Sequence, residues 1–297
     1  MAKFRRNHTK SGNFLSSSFV RIVAFLFLGG FALYYLTRTF DQNTVWEYEV
    51  PFSLDSTDRF YLPSGANGEM VFHKHYTLSY NEKYEQADWV AYELTKAQIQ
   101  VPNVERAREF RPDDLVTTKS AIHNDYSGSG YTRGHLAPAG DMAFSREAME
   151  ESFLMSNISP QIEEFNGGVW RELEETVRDW AYDNDRVYVV TGPVLKDGIL
   201  KTIGRNKVGV PKRFFKVVLD ISGQEKKGIG YVLENKLLEG HLRDYAITID
   251  SVESLTGFDF FEGLLTDEIE EELESKLNTS LWRFNQNRYE NRNTRFR

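Results

Sequence analysis

Two kinds of apolar rhythm run along this chain, and their order restricts the fold more than any other feature. Val71 to Tyr80 and Trp89 to Leu94 are rich in β-branched and aromatic residues about a polar turn, Asn81 to Asp88, and read as a hairpin. The rhythm then changes. Ser145 is placed to cap a helix running through Met149 to Met155, with Glu147 near its N-terminal dipole. After Asn166 and the Gly167-Gly168 pair, apolar residues fall at Trp170, Leu173, Val177 and Ala181, three and four apart, which marks one buried helical stripe. Strand patterns return at Val187 to Val190, Phe214 to Ile221, Gly228 to Leu233 and Tyr245 to Ile249. Strands, then helices, then strands is not the strict alternation of a doubly wound fold. It predicts an α+β domain with a mainly antiparallel sheet.

Between the two strand groups lies the stretch with the densest chemistry, Gly130-Tyr131-Thr132-Arg133-Gly134-His135-Leu136-Ala137-Pro138-Ala139. Arg133 offers a planar fork of donors that matches a phosphate, Gly134 lets backbone approach a ligand closely, and His135 is suited to carry a proton near neutral pH. On a helical wheel Asn166 lies at the N-terminal end of the second helix, with Glu174 and Arg178 one turn apart beside the buried stripe, so the three can share a wall. By spacing alone, Asn166 reads better as a helix cap, and Glu174 with Arg178 as an ordinary i,i+4 pair. His123-Asn124-Asp125 matches no metal-ligand spacing and reads as loop. Lys207, Lys212, Arg213 and Lys216 form a basic stretch, either a path for a polyanion or a solvated sheet edge. Without cysteine there is no thiol nucleophile and no cysteine metal site.

Charge is distributed unevenly. Of 36 lysines and arginines set against 44 acids, six cations and no acid fall within residues 1–40, so the remainder carries a net charge near -14. An acidic body does not hold nucleic acid by bulk electrostatics, which leaves room only for a local cationic site. The N-terminal cations precede an uncharged run, Ile22 to Leu36, which with Phe19 to Arg21 reaches the length of a membrane-spanning helix. No small-x-small cleavage site follows it, so an uncleaved signal anchor is expected, with the N-terminus in the cytoplasm and the body outside it, in the periplasm of a diderm bacterium. The expected organisation is a basic N-terminus over 1–18, the anchor over 19–37, a linker over 38–65, a catalytic domain over 66–265, and an acidic helix with a basic tail over 266–297. In that last part Ile269, Leu273 and Leu277 make a narrow stripe, and 283–297 reads as disordered.

The central stretch, together with Phe153-Leu154-Met155-Ser156-Asn157-Ile158-Ser159-Pro160-Gln161, Phe165-Asn166 and Trp170-Arg171-Glu172-Leu173-Glu174, resembles the DNA/RNA non-specific endonuclease family. The likeness is dense from Trp89 to about Pro193. It implies a ββα-metal fold and sugar-non-specific hydrolysis of DNA and RNA with one magnesium ion, or manganese in its place. By position, the resemblance makes His135 the general base and Asn166 the direct ligand of the ion. Glu174 would reach the ion through water, and Arg178, Arg133 and Arg106 would steady the phosphate, with Arg108 a competitor for the role of Arg106. Asn157 is a supporting residue, and Lys212 and Arg213 are weaker candidates for substrate contact. The family motif carries Asp where this chain has Thr132, which predicts altered rather than absent activity. An unperturbed histidine pKa near 6.5 would suit His135 to neutral pH. The alternatives are a metal-dependent phosphoesterase acting on small or lipid phosphates, and a catalytically silent nucleic-acid-binding protein of the same fold.

Overall fold

The computed structural model describes residues 61–296 other than 224. The expected anchor over 19–37, and the linker as far as residue 60, lie outside the described residues. Among the described residues no helix is long and apolar enough to cross a membrane.

A seven-stranded antiparallel sheet forms the centre. Its strands are β1 (Glu69–Phe72), β2 (Thr77–Asn81), β3 (Gln86–Thr95), β6 (Arg186–Pro193), β9 (Arg213–Asp220), β10 (Lys227–Glu234) and β11 (Ala246–Ile247), adjacent in that order. Two small antiparallel pairs stand beside it, β4 (Thr132–His135) with β5 (Ile158–Gln161), and β7 (Ile199–Ile203) with β8 (Val208–Pro211). The helices are α1 (Lys96–Gln100), α2 (Arg146–Ser152), α3 (Arg171–Asp183), α4 (Ile249–Thr256), α5 (Asp267–Ser275) and α6 (Gln286–Arg295).

The period-two rule assigns each strand residue to one of two cores. On β6 and β9, Val187, Val189, Phe214 and Val218 enter the core under α3, while Tyr188, Val190, Phe215, Val217 and Leu219 enter the core on the opposite face. Both faces are therefore covered, which is why these strands read as nearly unbroken apolar runs. The helical stripe behaves as its spacing predicts, since Trp170, Leu173, Val177 and Ala181 are all buried in the first of these cores. Ser145 caps α2, its hydroxyl accepting from the amide of Ala148.

Several expectations change in detail. Val71 to Tyr80 is two strands rather than one, because the chain turns back between Phe72 and Thr77 and pairs β1 with β2. Tyr245 to Ile249 yields only the two-residue β11, since Thr248 caps α4 and draws Ile249 into that helix. The segment with Asn166 is not the first turn of an α-helix. Phe165–Trp170 is a π-helical turn, in which Gly168 takes a non-helical φ of -101° and ψ of -115° before α3 begins at Arg171. Such turns recur at functional sites, and a glycine pair tolerates the departure. The basic tail is ordered as α6, held to α3 by Arg288, which contacts Glu175 at 2.6 Å and Asp179 at 2.7 Å. Composition suggested disorder because it cannot register acidic partners more than a hundred residues away.

Helices α4 and α5 bring the carboxylates of Asp250, Glu253 and Glu274 within 4.8 Å of one another. Burial first, and the neighbouring charges of Glu253 and Glu270 next, push the Glu274 carboxyl up to about 9. Its folded pKa lies above its unfolded value, so its contribution to stability is complete below the unfolded pKa and is lost as pH rises through the folded one. The melting temperature is expected to fall between about pH 5 and about pH 9, and Glu274→Gln to flatten that fall. Parallel melting curves for parent and variant across this range would remove Glu274 as the cause.

Candidate active site

The β4–β5 pair, the π-helical turn and α3 enclose an open cleft of about 680 Å³. From sequence positions as far apart as 106 and 178, Arg106, Thr132, Arg133, His135, Asn166, Glu174 and Arg178 all line it. Arg108, the competitor of Arg106, is instead an exposed residue paired with Glu105 at 2.7 Å.

His135 ends β4 and is 7% exposed. Its ring lies between Phe110 and Phe153, at centroid distances of 5.5 and 4.9 Å, and its Nε2 is buried without a hydrogen-bond partner. Burial, and then the charge of Arg106, lower its pKa to about 3. The unperturbed value near 6.5 assumed from sequence is thus corrected: the free imidazole stays neutral throughout the working pH range, because the aromatic walls strip water from any charged form.

Asn166 is fixed by its nitrogen. Its Nδ2 donates to Thr132 Oγ1 at 2.9 Å, and that hydroxyl donates in turn to the Gln161 carbonyl at 2.9 Å. Thr132 therefore has a definite task, orienting the amide so that Oδ1 is the acceptor left for another partner. Asn166 caps nothing, since it sits inside the π-helical turn.

Arg178 is pinned by Asp141, a buried carboxylate at 2.7 Å that also accepts from Tyr92 Oη at 2.7 Å. Glu174 lies between this pair and Lys216. Burial raises its carboxyl above the usual range against the opposing charges of Lys216 and Arg178, while burial lowers Lys216. Lys216 is fully buried on β9, its Nζ 4.9 Å from the centre of the Trp170 ring, so it belongs neither to a solvated edge nor to an open polyanion path.

The other expected residues divide clearly. Arg133 lines the cleft, donates to the His123 carbonyl at 2.9 Å and lies over the Tyr126 and Phe110 rings. Asn157 takes no part in the lining. Its amide accepts from Ala137 N at 2.8 Å and donates to the carbonyls of Ala137 and Ser152 at 2.9 Å, locking the chain that leaves His135. Gly134 makes room for protein rather than ligand, since a Cβ there would come 2.1 Å from Gln161 Cδ. Lys212 and Arg213 are not brought to the cleft, because both turn to Asp197. Asp125 is structural, accepting from Ile122 and Asn206. The carboxylate trio of α4 and α5 contributes nothing to the cleft lining.

Sequence reasoning missed Asp141 and the placement of Lys216. An acid following the small residues Ala139 and Gly140, six positions after the histidine, was the available signal for Asp141. The burial of Lys216 has no local signature. Five arginines against three glutamates make the cleft net positive on an acidic body, which focuses attraction for a polyanion at this one place.

The sequence model of the DNA/RNA non-specific endonuclease family matches residues 56–267. The chain is 34% identical over 234 residues to a nuclease of Nostoc sp., covering 72% of this chain and 83% of the relative. It is 35% identical over 222 residues to the mitochondrial nuclease EXOG of Danio rerio, covering 69% and 64% respectively. To human mitochondrial endonuclease G it is 34% identical over 203 residues, covering 64% and 68%. Among solved structures it is similar to a chain in a crystal structure of the EndoG/EndoGI complex, with a TM-score of 0.65 at 28% identity, covering 72% of this chain and 94% of that one.

Proposed function

The chain belongs to the DNA/RNA non-specific endonuclease family and is a metal-dependent hydrolytic nuclease, and from that premise we propose a division of roles among its residues. His135 is the general base for cleavage of phosphodiester bonds in DNA and RNA. One magnesium ion, or manganese in its place, would be held directly by Asn166, with Glu174 reaching it through water. The observation that carries this reading is that His135, Asn166 and Glu174 line one cleft.

The donors suit a hard divalent ion. The Thr132 hydroxyl occupies the nitrogen of the Asn166 amide, leaving an oxygen donor, and Glu174 adds a carboxylate that can hold a water of the ion. When bound, the ion sets positive charge against the phosphate and leaving oxygens, little offset by a neutral amide ligand. The chain's own residues do the rest. Arg106, Arg133 and Arg178 orient the phosphate, and the His135 imidazole accepts the proton of the attacking water. In the free protein the charge of Arg106 and the aromatic walls hold the proton affinity of His135 low. An anionic phosphate entering the cleft opposes both effects and raises that affinity when a base is needed. Contacts of this kind read the backbone, which carries no sequence information, so both nucleic acids are accepted.

The cations before the N-terminal apolar run and the acids after it support a single-pass anchor, with the catalytic domain outside the cytoplasm. Protease treatment of intact cells tests this, because a protected catalytic domain would place it on the cytoplasmic side.

To test the reaction, the full chain in mild detergent is incubated with supercoiled DNA and with RNA, with magnesium and then with EDTA. Nicking of both substrates with magnesium and none with EDTA is expected. Undiminished cleavage in EDTA would remove the metal from the reaction, and cleavage of small phosphodiesters alone would replace nucleic acid as the substrate.

A further inference from the structure

We propose that the C-terminal helix α6 completes the nucleic-acid cleft with a second phosphate-binding subsite, built from Arg295 and Arg171 beside Asn166. The proposal rests on the nuclease reading and extends it to a part of the chain beyond the family match, which ends at residue 267.

Three arginines of α6 recur on one side of the helix at positions 288, 292 and 295, and their charges are used differently. Arg288 is committed to Glu175 and Asp179, and Arg292, buried at 5% exposure, to Glu172 at 2.9 Å and the Gly240 carbonyl. These contacts clamp α6 onto α3. Arg295, at the end of the helix, forms no ion pair among the described residues. It is exposed and lines the cleft.

The end of the helix is seated on the turn that carries Asn166. A Cβ on Gly167 would meet the Phe296 ring at 3.2 Å and the Arg295 guanidinium at 3.4 Å, and one on Gly168 would meet the same ring at 3.6 Å. The glycine pair thus makes a bed for Phe296, and Phe296 holds Arg295 beside the cleft, its guanidinium 5.2 Å from the centre of the ring.

Arg171 opens α3 on the same side. Its partner Glu175, at 2.9 Å, is shared with Arg288, whose charge Asp179 also meets, so the positive charge left over at this end of the cleft is that of Arg295. A cavity of about 160 Å³ between Arg171, Arg295 and Gly167 continues the cleft here. The unpaired guanidinium of Arg295, with that of Arg171 beside it at a solvent-open mouth, matches the paired oxygens of a phosphodiester. The ligand is a phosphate of the bound strand flanking the one that is cut, so the subsite acts on substrates of several nucleotides.

The test is equilibrium binding in EDTA, which separates binding from cutting. Fluorescence anisotropy with a labelled DNA duplex is compared for the full-length parent, Arg295→Ala, Arg295→Lys and Arg295→Glu over a range of salt. For Arg295→Ala, Kd is expected to rise about 3- to 10-fold, and the slope of log Kd against log salt to become shallower by about 0.9, the loss of one phosphate contact. Arg295→Lys should restore the slope, and Arg295→Glu should weaken binding further. Parental Kd and slope in both the alanine and the glutamate variants would overturn the proposal. So would a loss of affinity that appears only with a lowered melting temperature, since that effect would come from undocking α6. A parent that binds with the expected slope but never cuts DNA or RNA with magnesium would instead count against the nuclease reading.

Discussion

Replacing His135 by alanine is expected to lower kcat/KM on duplex DNA by about 10²- to 10⁴-fold, the usual worth of a positioned general base. The side chain has no other visible employment. Its Nε2 has no partner, and its ring contacts are to Phe110 and Phe153, which a smaller side chain leaves standing. His135→Asn, which keeps a polar group and much of the volume but cannot accept a proton at neutral pH, should lose activity to the same extent and so separate chemistry from packing. Rates within about 10-fold of the parent in both variants would move the base elsewhere. The depressed pKa adds a signature. Because the folded value of about 3 lies below the unfolded one, the neutral ring contributes stability above the unfolded pKa, and that contribution is lost as pH falls toward the folded one. The imidazole proton resonances of His135 should therefore show no titration between about pH 5 and about pH 8 in the ligand-free protein, and His135→Ala should flatten the acid side of the stability profile. A midpoint near 6.5 would mean that the aromatic walls do not exclude water.

The second large effect belongs to Asn166. Asn166→Ala removes the only side-chain amide lining the cleft among the described residues, and cleavage supported by magnesium is expected to fall by about 10²- to 10³-fold, in the range found for removal of one charge-stabilising group. Thr132 gives the graded counterpart. It acts on the ion only through Asn166, and losing such an outer partner typically costs about 10- to 100-fold in metal affinity or activity. Thr132→Ala should therefore raise the magnesium concentration needed for half-maximal rate, while Thr132→Ser, which keeps the hydroxyl, should stay near the parent. Calorimetric titration with manganese reads the same difference without turnover. Equal metal affinity in Thr132→Ala and the parent would leave the hydroxyl as a packing contact only. Thr132 fills the motif position where the family carries Asp, and the hydrogen bonds explain how a neutral residue can serve there.

Much of the site was legible because its elements are local. The three-and-four spacing from Trp170 to Ala181 set which side of α3 is buried, and with it the flank on which Glu174 and Arg178 stand. The motif strand placed Thr132, Arg133 and His135 within four residues. What was misread involved partners remote in sequence. Gly134 looked like an opening for ligand and is an opening for Gln161. The unperturbed histidine became a depressed one because Arg106, Phe110 and Phe153 gather around it. Lys216, grouped by sequence with Lys212 and Arg213, is fully buried and interacts with Glu174, while those two turn to Asp197.

By itself the sequence determined the fold class, through the order of its two periodicities, and it singled out the residues proposed as base, amide and acid, through motifs that resemble those of the family. These depend on residues close enough along the chain for helix and strand geometry to relate them. Only the tertiary structure decided how strongly His135 holds a proton, which atom of Asn166 is left to accept a partner, and that the basic C-terminus is a helix ending at the cleft. Proton affinity follows desolvation and charge through space, and α6 is held to α3 by an ion pair spanning 113 residues of sequence. No period in the chain encodes a distance of that kind.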